Sequence, residues 1–552
     1  MTAPAWPGPA GRLLPTTTWI LAALYAATGV LAMWLLSPRV PYADGWRHLA
    51  RYLELSFPAD VLTPDNGHHE LLPNLVRVLD LRLFDAGQGF QVLVGIALAL
   101  ATLLVYWRGI RGQPDAARRA GGLLAIALGL FWLGNIRALA HGNESVHAYC
   151  VTLFLAIGLH ALVRARGAAE GAVAAAACGL AASFSFGSGF ACFAAFALVL
   201  LLRRSGARAW IALAAGAVLS LLLLHFAGGT GGGARLAPLQ QLPMLLAWLS
   251  GPSLYAAWPL LDPQLASALP LAAVGVPAQA VATEYEAAFG PAIAGPWPQQ
   301  LVGLLGLAWM AWLAWRAWST RSAAMLAGLG TAGFAVAVGM MIVLVRLDYF
   351  HAHPDQLLAP RYVVWSSLFW AGLLLAAVAG NTRRTRAPMA TALVALLLLP
   401  SHVWMGMLGQ RMGDVAAEAA LAATVGVVEP GFDLGETPIG ELAAALPVVR
   451  AAGVAVFAWP ESAWLEREWP AGEPRLSAME GVEVEPVDNL LGDEGRRLRF
   501  ATEAPCGRLL LLDAGNRVAG LATRRRDGSW IGWMTGRGPL PAEVAACAPP
   551  LR

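Results

Sequence analysis

Residues 18–49 read TWILAALYAATGVLAMWLLSPRVPYADGWRHL, and the fold is decided here. Thr18 to Leu36 is an unbroken apolar run, close to the ~20 residues a helix needs to cross a hydrocarbon core. It is too long for the core of a signal peptide, and SPRVPYADG offers no small-x-small cleavage site, so it reads as a retained anchor. The polarity then changes within a few residues, bringing Asp44, Arg47 and His48 to the end of the first span.

Working outward, the same pattern repeats. Further apolar runs lie near 90–107, 121–140, 146–163, 209–227, 299–318, 322–345, 362–380 and 388–405. The stretch 169–202 is too long for one span and breaks at SFSFGSG (Ser183–Gly189), which predicts two short spans in a hairpin and about eleven in all. Composition agrees: 57% of the 552 residues are hydrophobic and 13% charged, with mean hydropathy +0.57. Soluble globular chains carry about 25% charged residues, so an ordinary cytosolic enzyme is excluded. No basic patch of the kind nucleic acid needs is present.

Every Lys or Arg in the chain is arginine, and cytoplasmic loops collect arginine. With the N-terminus inside, the inner loops hold Arg108, Arg111, Arg118, Arg119, Arg164, Arg166, Arg203, Arg204, Arg208, Arg316, Arg321, Arg383, Arg384 and Arg386, against only Asp115 and Glu170. The other acids of residues 1–405, and every histidine there except His160, fall outside. An odd number of spans places residues 406–552, with 14 Arg against 20 acids, on the outer side as well. Cys506 and Cys547 in that tail suit an oxidising compartment as a disulfide pair. Cys150, Cys178 and Cys192 lie in apolar runs as small core residues.

Two long outer loops are expected, 37–89 and 228–298. The second opens with GGTGGG (Gly228–Gly233), a flexible linker, and continues with QLPMLLAWLSGPSLYAAWPL. That stretch is read as lying on or dipping into the outer surface, because a span at 241–261 would invert every later side. In the tail, ELAAALPVVRAAGVAVFAWP predicts a helix followed by a strand. RLLLLDAGNRVAGLATRRRDGSWIGWM predicts short strands joined at Ala514-Gly515-Asn516 and Asp527-Gly528. The triple arginine at 524–526 reads as a solvated strand end, or else a contact for an anionic glycan or lipid head group.

Most outer-side polar residues are concentrated in a few places. Asp44 lies just past the first span beside His48; it is a candidate general base, or the N-cap of a helix through Trp46 to Leu55, and the two roles are compatible. TPDNGHHELLPNLVRVLDLRLF places Asp65, His68, His69 and Glu70 ahead of an amphipathic interfacial helix. Histidines and carboxylates this dense suit substrate hydrogen bonding, a divalent metal ion or the structure of the loop itself, without the spacing of a zinc signature. Asn135, Arg137, His141, Asn143, Glu144 and His147 surround the connection between the third and fourth spans. Arg346, Asp348, His351, His353 and Arg361 frame RLDYFHAHPDQLLAPRY, and His225 and His402 sit at outer helix ends. Arginine at membrane depth is costly unless paired with an anion. A lipid phosphate is one such anion, and Arg grips phosphate bidentately; the alternative for these arginines is snorkelling to the interface.

This organisation resembles the C-type (GT-C) polytopic membrane glycosyltransferases. The matching features are ADGW with Asp44, NGHHELLPNL, the SFGSG hairpin, and APRYVVW with Arg361 before a span. The resemblance implies a GT-C-like domain at 1–405 and a periplasmic, β-rich domain at 406–552, in the bacterial inner membrane. It implies transfer of a sugar from a polyprenyl-phosphate donor to an envelope glycan or lipid, with inversion. Asp44 would be the base and Arg361, with Arg137 or Arg346, would hold the departing phosphate. His48, His68, His69, Glu70, His141, Asn143, Glu144, Asp348, His351 and His353 would line the substrates or hold a divalent metal. The other classes left open are a glycan polymerase or ligase acting on a lipid-linked oligosaccharide, a transporter, and a non-catalytic envelope component.

Overall fold

The computed structural model describes residues 9–228, 235–257, 263–267, 272–293, 295–380, 385–430, 432, 439–470, 475, 479–536 and 547. Gly229–Gly233 of the expected linker and the inner-loop Arg383 and Arg384 lie outside them. The chain is a mostly helical membrane protein. Among the described residues ten helices are long and apolar enough to cross a bilayer. Nine coincide with spans expected from the sequence. The tenth, Ile439–Ala458, has its buried side (Leu442, Ala445, Leu446, Val449) packed with Trp46 and Leu49. The hairpin consists of the shorter apolar helices Ala168–Ser183 and Gly187–Arg203, which complete eleven.

The chain forms two compact units. The first comprises residues 1–37, 62–74 and 91–410. Membrane helices gain little hydrophobic drive from one another and associate where small residues let backbones approach. Ala323–Val345 and Pro360–Gly380 do this at Gly328 and Gly372. A Cβ on Gly328 would meet the Gly372 carbonyl at 2.6 Å, and one on Gly372 the Gly328 carbonyl at 2.5 Å. The hairpin tip is buried rather than a surface loop. Ser183 Oγ donates to Gly179 O (2.8 Å) and Ser185 Oγ to Ala181 O (2.9 Å), which satisfies two hydroxyls of the tip, while the Ser188 hydroxyl is buried without a partner among the described residues.

The third span, read as one run over 121–140, is interrupted. Ala116–Phe131 stops, Trp132 is extended, and short turns follow at Leu133–Asn135 and Ile136–Leu139. His402 repairs the break. Its Nδ1 accepts the Leu133 N–H at 3.0 Å, and its Nε2 lies 2.8 Å from Thr28 Oγ1, whose own proton goes to Leu24 O. The ring is therefore the Nε2–H tautomer. Trp132 Nε1 donates to Ser401 Oγ at 3.2 Å beside it.

Within 228–298 the helices are Pro238–Leu249, Gly251–Ala257, Pro263–Ser267 and Ala272–Ile293. Twelve residues of helix reach only about 18 Å, short of a bilayer core. Pro238–Leu249 instead packs sideways, with Leu249 O accepting from Trp370 Nε1 at 2.8 Å. The last expected span, 388–405, lies in a helix that runs from Arg386 to Thr424, because AAEAALAAT is built of strong helix formers.

The second unit comprises residues 38–61, 75–90 and 411–552. Its antiparallel sheet contains β1 (Glu480–Val487), β2 (Gly495–Ala501), β3 (Arg508–Leu512), β4 (Val518–Arg524) and β5 (Trp530–Thr535), in the order β1-β2-β5-β4-β3. Both faces are covered. Leu510, Leu512, Leu521, Ile531 and Trp533 pack on one side with Leu421 and Val425. Leu509, Leu511, Ala522, Trp530 and Met534 pack on the other, beside the Cys506–Cys547 disulfide, whose Cα atoms are 5.8 Å apart. On β1, Glu483 faces Arg499 and Glu485 faces Arg497 across the strand pair.

Two local expectations are corrected. GVAVFA is not a strand: Ala455 has φ 54°, donates its N–H to Asp85 O at 2.7 Å, and opens a 3-10 turn at Ala455–Ala458. The triple arginine is not merely solvated. Arg525 grips Glu418 through two 2.9 Å hydrogen bonds, and Arg526 pairs with Asp414 at 3.2 Å.

His402→Leu strands the Leu133 N–H in apolar surroundings, which costs about 1–3 kcal/mol. A thermal-shift measurement of the full chain should show a lowered unfolding midpoint. An unchanged midpoint would mean that the helix break is held by other contacts.

Candidate functional site

Three local structures of the first unit meet at Phe186, and a fourth adjoins the last of them along its helix. The first is a two-residue turn in the long first loop. Asp65 N–H donates to His68 O (2.9 Å) and His68 N–H to Asp65 O (2.7 Å), around Asn66 (φ 46°) and Gly67 (φ 76°). Asn-Gly is the dipeptide that best tolerates two successive positive φ angles. The turn delivers the His68 ring to Phe186, 4.8 Å between centroids. A Cβ on Gly187 would lie against His68 Nδ1, closer than van der Waals contact allows, so a side chain there would displace the ring.

The second structure is the helix Gly142–Arg164, which stacks His147 on Phe186 at 4.2 Å with a 7° interplanar angle. The third, Pro360–Gly380, contributes Trp365 at 6.4 Å, nearly parallel to Phe186. The fourth is the pair of arginines at the ends of the two closely crossed helices. Arg346 follows Ala323–Val345 and donates from Nη1 to Tyr362 Oη at 3.0 Å. Arg361, in the first turn of Pro360–Gly380, lies 5.1 Å from the Tyr362 ring centroid and donates to Gln356 Oε1 at 3.0 Å. Two half-buried guanidiniums thus bracket one tyrosine beside an aromatic stack.

The electrostatics follow from this placement. Burial holds the His68 imidazole below its ordinary range; the Arg346 charge pushes the same way, against the pull of Glu70 and Asp65. His69 is also lowered by burial, 5% exposed near Phe184. A neutral His68 has one nitrogen free to accept a hydrogen bond and another to donate, which suits sugar hydroxyls.

The other residues expected from the sequence are distributed as follows. Glu70 is buried at 6% exposure. Arg137 is taken by an ion pair with Glu144, and His141 Nδ1 accepts the Glu144 N–H at 3.3 Å, capping the helix start; Asn143 lies in its first turn. Asp348 is 81% exposed in its side chain and pairs with Arg235 at 3.6 Å. His351 and His353 face outward, His353 against Tyr349 at 5.0 Å. His68 and Arg346 are thereby brought to one place, with Arg361 alongside, while Asp348, His351 and His353 remain outside it. Phe186, Trp365 and Tyr362 were not singled out, nor was His147 assigned a role.

Asp44 belongs to the second unit. It precedes the helix Gly45–Glu54, but its side chain makes no capping hydrogen bond, since its own backbone is already helical (φ −57°, ψ −13°). The carboxylate lies 3.3 Å from Arg47 Nη1, and Arg47 also holds Glu441 at 2.7 Å. His48 is buried, with Nδ1 3.4 Å from Tyr52 Oη and 3.3 Å from Arg51 Nη2. Asp44 and His48 each offer a ligand atom, within 4.8 Å of one another.

No family model matches the chain, and no curated protein matches it. Solved structures similar to it include the archaeal oligosaccharyltransferase AglB from Archaeoglobus fulgidus in complex with an inhibitory peptide and a dolichol-phosphate. The identity is 15% and the TM-score 0.38, over 78% of this chain and 59% of that one. The chain therefore spans about three fifths of that protein's length. ArnT from Cupriavidus metallidurans in the apo state is 14% identical over 86% of this chain and 96% of its own, with TM-score 0.32. ArnT bound to undecaprenyl phosphate is 16% identical over 78% and 88%, with TM-score 0.29. Both proteins are GT-C glycosyltransferases, the class the sequence resembles. At these scores the likeness assigns no residue, substrate or acceptor to this chain.

His68 should remain neutral at pH 6.5, where a free imidazole is about half protonated. Histidine-labelled NMR should show a midpoint below that value. Arg346→Gln removes a positive neighbour and Gly187→Ala displaces the ring towards water, so each should raise the midpoint. A wild-type midpoint at or above 6.5 would contradict the buried placement.

Proposed function

We propose that the chain is a glycosyltransferase that moves a sugar from a polyprenyl-phosphate donor to a glycan or lipid acceptor of the cell envelope, with inversion. One observation supports this above the rest: Arg346 and Arg361 converge on Tyr362 beside the stack of His147, Phe186 and Trp365. Arg361 also stands in the first turn of its helix, where the positive end of the macrodipole repels a cation and attracts an anion. A phosphate reconciles the two charges. Aromatic faces and neutral imidazole beside it fit a sugar ring.

In the proposed step, the acceptor oxygen attacks the anomeric carbon as Asp44 takes its proton. The bond from that carbon to the phosphate oxygen breaks, and its electron pair leaves with the polyprenyl phosphate. Arg346 and Arg361 stabilise the charge that develops there. Arg137, shared with Glu144, ranks behind them. His68, His69 and Glu70 orient sugar hydroxyls.

Asp44→Asn keeps the shape and removes the proton acceptor, so turnover should fall by about 10²-fold or more while donor binding survives. Arg346→Ala and Arg361→Ala should each weaken donor binding by roughly 10–100-fold, the range for hydrogen bonds to charged groups, and lower turnover as well. Release of polyprenyl phosphate from a lipid-linked sugar reads the first effect, and a donor-binding titration reads the second. Undiminished transfer by Asp44→Asn would move the base elsewhere; unchanged donor binding in both arginine variants would refute the phosphate site.

The proposal places the N-terminus in the cytoplasm and residues 406–552 in the periplasm. Reporter fusions after Arg111 and Arg386 should then read cytoplasmic, and one at Arg552 periplasmic. A cytoplasmic signal at Arg552 would reverse the side on which the reaction runs.

A further inference from the structure

On the outer surface of the first unit, three helices form a groove of about 380 Å³ lined by Trp19, Leu100, Leu103, Leu104, Trp107 and Leu123. Trp19 meets Trp107 edge to face, 5.3 Å between centroids at 74°. Leu100 and Leu104 are 42% and 49% exposed, so the groove opens sideways. The residues from Gly89–Ile110 recur at 100, 103, 104 and 107, one face of a helix.

That face changes character where the helix ends. Arg108 lies one turn beyond Leu104 and Arg111 one turn beyond Trp107, and the Arg111 N–H still bonds Trp107 O at 2.8 Å, so the turn is helical. On Ala116–Phe131, Arg119 lies one turn before Leu123. Arg164 joins them, with Nη2 3.4 Å from Arg108 O. The local acid, Asp115, is engaged by Arg118 at 3.2 Å. Among the described residues no carboxylate lies within 4 Å of Arg108 or Arg111. An apolar trough thus ends in several cations of one sign.

We propose that this groove binds one acyl chain of a glycerophospholipid whose anionic head group is held by Arg108, Arg111 and Arg119. The charge selects an anion, and the trough selects an anion that carries a hydrocarbon tail. Membrane-facing arginine clusters attract anionic lipids in general; here three arginines each stand one helical turn from a residue that lines the trough, which makes the site local. The inference is independent of the proposed sugar transfer.

Native mass spectrometry of the full chain, released from bilayers of equal dioleoyl phosphatidylglycerol and dioleoyl phosphatidylcholine, tests it. The phosphatidylglycerol adduct should exceed the phosphatidylcholine adduct by about fivefold or more. Arg108→Gln with Arg111→Gln should bring the ratio close to one. Leu104→Trp, which fills the trough, should remove the adduct without changing the cations. Arg208→Gln with Arg321→Gln, away from the groove, should leave the ratio unchanged. Equal adducts in the wild type would overturn the proposal, as would an equal drop in the Arg208/Arg321 variant. A dimer without bound lipid would overturn it too, making the groove a face between copies.

Discussion

Gly328 and Gly372 let two spanning helices touch backbone to backbone, and the first unit depends on that contact. Hydrocarbon does not force helices together, so close packing has to come from the absence of side chains at the crossing. Because the pair is antiparallel, the end of Ala323–Val345 and the start of Pro360–Gly380 lie on the same side. Two arginines with no sequence relation, Arg346 and Arg361, are thereby brought to one tyrosine. The same helix carries Trp365 one turn further in, so charge and aromatic surface are delivered together.

Much of this architecture was legible in the sequence. Spans are apolar runs of fixed minimum length, and the sequence states both properties directly. The SFSFGSG break predicted the hairpin, and short apolar runs separated by turn residues predicted the C-terminal sheet. The pair Cys506–Cys547 could be named as the only cysteines of the tail. What failed locally had a physical reason. GVAVFA has strand composition, but a positive φ at Ala455 turns it. Nothing in RRR reveals that Arg525 will find Glu418, more than a hundred residues away.

The candidate site was legible only in part. Residue type marked out His68, Arg346 and Arg361 because charge and imidazole are rare in an apolar chain. Phe186 and Trp365 were invisible for the opposite reason, being two aromatics among many. The Asn66-Gly67 dipeptide was a readable signal, since it is a turn signature that fixes which way His68 faces. Asp44 shows the limit from the other side: it does stand at the N-cap position of Gly45–Glu54, but its side chain makes no capping hydrogen bond there.

One of the two edge strands of the sheet has a further consequence. Any sheet edge offers unpaired backbone groups that another chain can extend into a growing stack. β1 reads EGVEVEPV, with Glu480, Glu483 and Glu485 along it and Pro486, which has no N–H to donate, near its end. Copies crowded side by side in one membrane would meet these edges repeatedly. A strand with acidic residues along it and an interrupted ladder makes a poor template, so pairing through this edge is disfavoured.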